Sequence, residues 1–513
     1  MTNPSEKLAL SLEVLKQIQD GGRVAIRSSD ISRTHRERLV ENCFLKEIMK
    51  GWYVPSRPGD PEGESTSWYA SYWIFCSDYL QERFGNDWCL SPEQSLCLHV
   101  GNRTVPKQLI VRSSKGKNNI TALPEQSFIL DVNASMPASG VAKIDNLNVF
   151  SLPDALIACS PNYFQYNSMD VRAALSAILD SSELLSKLLD GGHTIIAGRL
   201  AGAFRNIGRS RIADEILKSM NAAGFDCREE DPFTSSPQIS LAKAHRSPYP
   251  NRLKLMWEQM RAPILKNFKI ATKKPMTKSA YLKQVQDIYL TDAYHSLSIE
   301  GYKVSHELID KVKKGNWSPD AKADDKALRD ALAARGYWLA YQAVRDSVKK
   351  ILSGENAGVV ADDDHTEWYR ELFSPSVTVG LLKPSDLAGY RNDQVFIRHS
   401  KYLPPKAEIV REAMPTFFEL LQNEDEPAVK IVLGHVVFVY IHPYMDGNGR
   451  MGRFLMNLML ASGGYPWTVI PVELRAKYID ALEAASVMQD IVPLTKFLAG
   501  LVDNTVKGKP KAK

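Results

Sequence analysis

His442, Asp446, Arg450 and Arg453 fall within twelve consecutive residues, HPYMDGNGRMGR, spanning 442–453. An imidazole takes up a proton near neutral pH, so His442 can serve as a general base. A carboxylate is a hard oxygen donor, so Asp446 suits a Mg2+ bridging phosphates. Gly447, Asn448 and Gly449 favour a tight turn with positive φ and let the backbone approach a ligand closely. Arg450 opens a new helix, and Arg453, three residues on, leans toward the same anion. The helix start adds free N–H groups and the positive end of its dipole, which together make a phosphate cradle. A base, a metal ligand and an anion cradle in one short segment argue for chemistry at a phosphate rather than an ordinary interhelical turn.

These residues need elements to hold them. The apolar run Ala428–Tyr440 reads as a helix that stops at His442-Pro443, because Pro disfavours helix in the residue before it. Arg450–Ser462 reads as the next helix, with Phe454, Leu455, Leu458 and Met459 on its apolar face. From Asn251 onward the chain reads as almost wholly helical. Periodic segments cover Leu253–Phe268, Lys278–Ser296, Ser305–Lys314, Lys322–Leu352, His365–Phe373, Lys406–Gln422, Arg475–Val487 and Val492–Asp503. GENAGVVADDD reads as a break before the helix at His365, with Asp362–Asp364 as its solvated start rather than a metal site. His435, two turns before His442 in an apolar run, reads as a packed or hydrogen-bonded helix histidine.

The segment HPYMDGNGRMGR resembles the signature of Fic-domain proteins, HxFx[D/E]GNGRxxR, with Tyr444 where Phe is usual. The resemblance extends over roughly Ala280 to Asp503. It implies that His442 takes the proton from a Ser, Thr or Tyr hydroxyl of a target protein, whose oxygen attacks the α-phosphate of ATP. Asp446 would hold Mg2+, Gly447, Asn448 and Gly449 would cradle the phosphates, and Arg450 and Arg453 would balance their charge. Gly389 to Arg398, followed by Pro404-Pro405, resembles the family's flap hairpin, with Gln394, Val395, Phe396, Ile397 and Arg398 as its edge strand. VFI is β-prone by itself, and an exposed edge can receive a peptide by strand addition. Arg475-Ala-Lys-Tyr478 resembles the segment whose Tyr lies near the adenine. Ser486 stands where the family often has Asn. Some relatives of the family use other phosphate-containing donors.

Ser296-Leu-Ser-Ile-Glu300-Gly301 fits the family's inhibitory motif, [S/T]xxxE[G/N]. Ser296 and Glu300 are four apart and share one helix face, and Gly301 suits the helix end. The resemblance implies that Glu300 draws Arg453 away from the γ-phosphate position. In some relatives the same Glu supports removal of AMP from a target.

The N-terminal half reads differently. Leu8–Asp20 and Ser32–Asn42 read as helices, and FLKEIMKGWYVPS as a strand, a turn and a strand, which together suggest a winged helix-turn-helix. The stretch from Val24 to Ser56 resembles the winged helix of AbiEi-type antitoxins, and LSPEQSLCLHV and VFSLPDALIACS resemble the domain that follows it. Arg33, His35, Arg36 and Arg38 could meet duplex DNA, although Glu37 and Glu41 dilute their charge. QLIVRS and SFILDV read as strands, and Asp170–Ala223 as helices. The glycines from Gly191 to Gly208 lack the GK[ST] of a P-loop and read as helix packing and caps.

With 64 basic against 59 acidic residues, the net charge of +5 permits nucleic-acid binding without arguing for it. The six cysteines form no CxxC pair, which fits reduced thiols in a cytoplasm. MTNPSEKLALSLEVL lacks a leader pattern, and Ile431–Tyr440 is too short to span a membrane.

The expected fold class is mainly α: an all-helical Fic core with a small β-hairpin flap, preceded by an α+β winged helix and a mixed α/β region. The expected domains are 1–90, winged helix; 91–232, mixed α/β; 233–250, linker; 251–370, helices carrying the inhibitory motif; 371–505, catalytic core; and 506–513, a disordered tail. The expected function is a protein adenylyltransferase using ATP and Mg2+ on a target protein or on itself, restrained by Glu300. The alternative is a DNA-binding, antitoxin-like regulator whose Fic part is silent or senses nucleotide. A homodimer is left open.

Overall fold

A computed structural model describes residues 3–58, 65–137, 140–233, 239, 241, 247–270, 276–316 and 325–508. Most of the expected linker, the beginning of the expected helix at Lys322 and the last five residues of the tail lie outside them. The chain divides into two compact units, 1–252 with 396–403, and 253–395 with 404–513.

The first unit opens with α1 (Pro4–Asp20), β1 (Ile26–Arg27), α2 (Arg33–Glu41), β2 (Leu45–Met49) and β3 (Trp52–Pro55). The strands form an antiparallel sheet in the order β1-β3-β2, with Ile26 opposite Tyr53 and Leu45 opposite Pro55. Leu15, Ile26, Ile31, Leu39, Leu45 and Tyr53 close a small core under it. Gly51, at φ +82°, makes the turn of the β2–β3 wing. The Ser32 side chain caps α2 by accepting from His35 N.

Next comes α3 (Thr66–Phe84), which no periodic reading anticipated. Trp68, Tyr72, Trp73, Phe75, Cys76 and Leu80 are buried around much of its circumference, so it carries no polar stripe to betray a helix. Then follow β4 (Cys89–Leu90), α4 (Pro92–His99), β5 (Gln108–Ser113), β6 (Ile120–Leu123), β7 (Ser127–Asn133), β8 (Ala142–Ile144) and β9 (Leu147–Val149). A four-stranded sheet runs β4-β5-β7-β6, with β5 and β7 parallel, and β8 pairs with β9. The helices α5 (Leu152–Ala158), α6 (Pro161–Tyr166), α7 (Ser168–Ala177), α8 (Ser182–Asp190), α9 (Thr194–Asn206) and α10 (Ser210–Ala222) complete this part. A Cβ on Gly198 or Gly202 of α9 would lie 1.9 or 2.2 Å from the carbonyl oxygen of Arg228 or Glu230, so these glycines serve packing.

The second unit is helical: α11 (Tyr249–Asn267, whose first four residues count with the first unit), α12 (Lys278–Ile299), α13 (His306–Lys313), α14 (Asp325–Ile351), α15 (Ala357–Thr378), α16 (Ala407–Asn423), α17 (Pro427–Ile441), α18 (Asn448–Ser462), α19 (Arg475–Val487) and α20 (Val492–Val506). The break expected before His365 is instead the first turns of α15. The Asn356 side chain accepts from Gly358 N and Val359 N, and Val360 and Ala361 are buried, so capping and packing override the Gly/Asp-rich composition. α17 is buried on nearly every side and packs along α18, and α14 pairs with α15.

The expected hairpin between Gly389 and Pro405 is not a strand ladder. Residues 394–397 carry no strand assignment and lead to a turn at Arg398-His399. Pro404 and Pro405 have no N–H to give to a ladder. The Gln394 side chain takes the place of one rung, donating to Pro404 O at 2.9 Å and to Val395 O at 3.2 Å.

Among the described residues, no helix is long and apolar enough to cross a membrane.

Candidate active site

α17 ends at His442, which lies in the left-handed region at φ 52° and ψ 60°. Pro443 then prevents the helix from resuming. The half-buried His442 ring sets Nδ1 3.1 Å from Val439 O. A carbonyl can only accept, so this partner assigns the proton to Nδ1 and leaves the Nε2 lone pair free. Burial pushes the imidazole down to about 4; the Val439 carbonyl, Glu300 and Asp446 oppose that shift and Arg391 adds to it. The ring is therefore neutral at pH 7, as a base must be.

Arg391 holds this corner in place. Its Nε donates to His442 O at 2.8 Å, its backbone N to Pro443 O at 2.9 Å, and its Nη1 to Asp393 O at 2.9 Å. A further bond runs from Nη2 to Pro405 O. Arg391 is 2% exposed. It lies within the segment quoted above for the flap, but nothing in its neighbourhood in sequence marks it as the support of His442, 51 residues away.

Past His442, Gly447 turns the chain at φ +80° and caps the start of α18. A Cβ there would meet the Phe373 ring at 2.8 Å. Asn448 closes the loop: its Oδ1 accepts from Tyr444 N at 2.9 Å and its Nδ2 donates to Tyr444 O at 2.8 Å. With its side chain so engaged in the loop, the backbone N–H of Asn448 stays at the open start of α18. The first helical bond into this end is Met451 N to Gly447 O, so the N–H groups of Asn448, Gly449 and Arg450 have no helical acceptor.

Asp446 Oδ1 accepts from Gly447 N at 2.6 Å, and Oδ2 lies 3.5 Å from Arg450. Its side chain is 63% exposed. Among the described residues no three His, Cys, Asp or Glu side chains gather as a metal cage. One open carboxylate fits Mg2+, which commonly takes one or two protein oxygens and completes its shell with phosphate and water.

Arg453, 6% exposed at its side chain, is fully occupied along one edge. Its Nε donates to Ser296 Oγ at 2.8 Å, and its Nη2 to Ser296 O at 3.0 Å and Glu300 Oε1 at 2.7 Å. Ser296 and Glu300 therefore meet Arg453 together. Gly301, at φ +89°, ends α12 beside them. Glu300 also stands over the cradle, because a Cβ on Gly449 would lie 2.4 Å from its Oε1. Tyr478 is buried with its hydroxyl 2.7 Å from Nε2 of His435, so His435 is a buried, hydrogen-bonded histidine. Burial pushes the Tyr478 hydroxyl up to about 12, opposed by the nearby Arg453.

A cleft of about 570 Å3 opens beside the loop, lined by Thr366, Asp386, Tyr390, Arg391, Arg411 and Met445 among others. Gln394 and the buried Val395 count with the second unit, and Phe396, Ile397 and Arg398 with the first.

Residues 363–460, which contain His442, Gly447, Asn448, Gly449, Arg450 and Arg453, match the sequence profile of the Fic/DOC family. Over these residues the chain is similar to Fic domains. The region around them is similar to Protein adenylyltransferase Fic of Drosophila willistoni, 28% identical over 232 residues that cover 44% of this chain and 43% of the relative. It is also similar to the protein of the same name from Nematostella vectensis, 26% identical over 278 residues, 53% of this chain and 61% of the relative. The chain thus spans about half the length of these relatives. The solved Fic-1 structure from C. elegans aligns at 17% identity with a TM-score of 0.37, covering 70% of this chain and 90% of that one.

The four basic residues expected to meet DNA lie on or beside α2. His35 Nδ1 is 2.9 Å from Ser11 Oγ, and Arg38 donates to Lys7 O and Ser11 Oγ, so both tie α2 to α1. Arg36 covers the Tyr53 ring and donates to Ser28 O. Arg33 is exposed and paired with Glu37 at 2.6 Å.

Proposed function

We propose that this chain is a protein adenylyltransferase that moves AMP from ATP to a Ser, Thr or Tyr hydroxyl, and that Glu300 restrains it. The observation that carries the reading is the pairing of a neutral His442, whose Nε2 is free to accept a proton, with an anion cradle one turn of chain away.

The target hydroxyl gives its proton to His442 Nε2 as its oxygen bonds to the α-phosphorus, and the α–β bridging bond breaks to release pyrophosphate. A positioned base typically contributes ~10²–10⁴-fold in rate. Arg391 fixes the backbone carbonyls of His442 and Pro443, so the ring keeps its place as the proton arrives. The N–H groups at the start of α18, with Arg450 and Arg453, face the charge of the phosphates. Asp446 is the residue to hold Mg2+, which would neutralise phosphate charge. The cleft beside Met445 and Tyr390 is where a target side chain could approach. Glu300 occupies the edge of Arg453 and the space above Gly449, so ATP meets an incomplete cradle.

The test is labelled-ATP transfer, to itself and to a cell lysate, by wild type, His442→Ala and Glu300→Gly. Labelling should be low in wild type, high in Glu300→Gly and absent in His442→Ala. Labelling that survives His442→Ala overturns the mechanism. A second reading, duplex DNA binding by the first unit, is favoured by its winged order of helices and strands. Retention of duplex DNA at low salt that weakens as salt rises supports it, and no retention at low salt dismisses it.

A further inference from the structure

Glu300 and Tyr302 stand on either side of Gly301, and each holds a different arginine of α18. The end of α12 explains the arrangement. Tyr302 N donates to Leu297 O at 3.1 Å and Gly301 N to Ser298 O at 3.0 Å, with Gly301 in the left-handed region. This pair of bonds is a Schellman helix end, and it fixes the flanking residues relative to each other. Glu300 takes Arg453 by its edge. The guanidinium carbon of Arg450 lies over the Tyr302 ring, 5.3 Å from its centroid, and over the Phe373 ring, 5.1 Å from its centroid.

Arg450 is 1% exposed, a burial that ordinarily demands a close acid. The carboxylate it approaches is Asp446 at 3.5 Å, itself 63% exposed, and Arg450 Nε has no hydrogen-bond partner among the described residues. Two aromatic faces therefore supply compensation that an acid would otherwise give. The difference matters for binding. An acid consumes the N–H edge of a guanidinium, as Glu300 does at Arg453. A ring under a guanidinium attracts its charge without accepting an N–H in the way a carboxylate does.

We propose that Tyr302 is a positioning residue for the nucleotide: with Phe373 it clamps Arg450 by its faces and keeps its N–H edge turned to the phosphates. The segment that withholds Arg453 then also presents Arg450. The inference rests on reading the site as an ATP-dependent transferase.

The experiment compares Tyr302→Phe and Tyr302→Leu in the Glu300→Gly background, reading KM and kcat for ATP in self-labelling. Calorimetry with ATP on the same variants carrying His442→Ala gives Kd without turnover, and melting curves report folding. Tyr302→Phe should keep KM and Kd within about 2-fold, because it retains the ring. Tyr302→Leu should raise both about 5- to 30-fold, equivalent to ~1–2 kcal/mol, with kcat nearly unchanged. Should Tyr302→Leu fail to fold, Phe373→Leu removes the other face and should raise KM by a similar factor. Leu and Phe variants of equal KM and Kd, alongside active labelling by Glu300→Gly, overturn the clamp and leave the transferase reading standing. No ATP binding and no labelling in any variant overturns both.

Discussion

Replacing Glu300 by Gly should raise the proposed AMP transfer, and the structure sets the size of the effect. Arg453 Nη2 lies 2.7 Å from Glu300 Oε1, with the two side chains 6% and 31% exposed. Two unit charges ~4 Å apart at an effective dielectric of 20 attract by about 4 kcal/mol. Water reaches roughly a third of Glu300, so screening leaves about half of that, ~2 kcal/mol. The two bonds from Arg453 to Ser296 remain and resist full release. If the restrained arrangement is favoured by ~2 kcal/mol, removing the carboxylate raises AMP transfer about 30-fold, since 1.4 kcal/mol is tenfold. Glu300→Gln keeps the shape and an acceptor but loses the charge, and should give a smaller rise. The assay is the initial rate of self-labelling from labelled ATP at saturating nucleotide, with ATP affinity measured alongside. A Glu300→Gly rate equal to wild type, with ATP bound normally, refutes the reasoning.

Three further outcomes follow from the same geometry. Because burial lowers the His442 imidazole to about 4, its base form persists as pH falls; labelling by Glu300→Gly should stay level from pH 8 to 6 and decline only toward pH 4. A pH–rate midpoint near 6.5, the ordinary histidine value, contradicts this. Arg391→Lys cannot reproduce the fork to the His442, Asp393 and Pro405 carbonyls; kcat should fall at least ~10-fold with ATP affinity retained, and an unchanged kcat removes Arg391 from the support of the base. The Tyr444 hydroxyl is buried without a hydrogen-bond partner among the described residues, while its ring stacks on Tyr369 at 3.8 Å. Tyr444→Phe keeps the stack and removes the orphaned group, so it should stabilise the fold by ~1 kcal/mol, a few degrees of melting temperature; a marked destabilisation would reveal a hidden partner.

What could be read from the sequence was what the chain holds close together. HPYMDGNGRMGR is contiguous, and its turn residues, histidine, carboxylate and arginines declare themselves by order. Ser296 and Glu300 are four apart on one helix, so their joint contact with Arg453 follows from helical geometry once that partner is named. Arg391, Tyr302 and Phe373 were not legible, because each acts on a residue reached only through folding. An arginine in a turn looks the same whether it faces water or three carbonyls. The flap expectation weighed the β-prone VFI above the two prolines that leave its return leg without donors. The start of α15 and the whole of α3 were missed for opposite reasons: one is rich in residues that commonly break helices, the other is buried on too many sides to show a stripe.

The central claim is that His442 takes the proton in AMP transfer. The most direct test is mass spectrometry of Glu300→Gly and Glu300→Gly/His442→Ala, each incubated with ATP and Mg2+. The account predicts one or more AMP adducts on hydroxyl side chains of the first and none on the second. Equal adducts on both, with both folded, would contradict it.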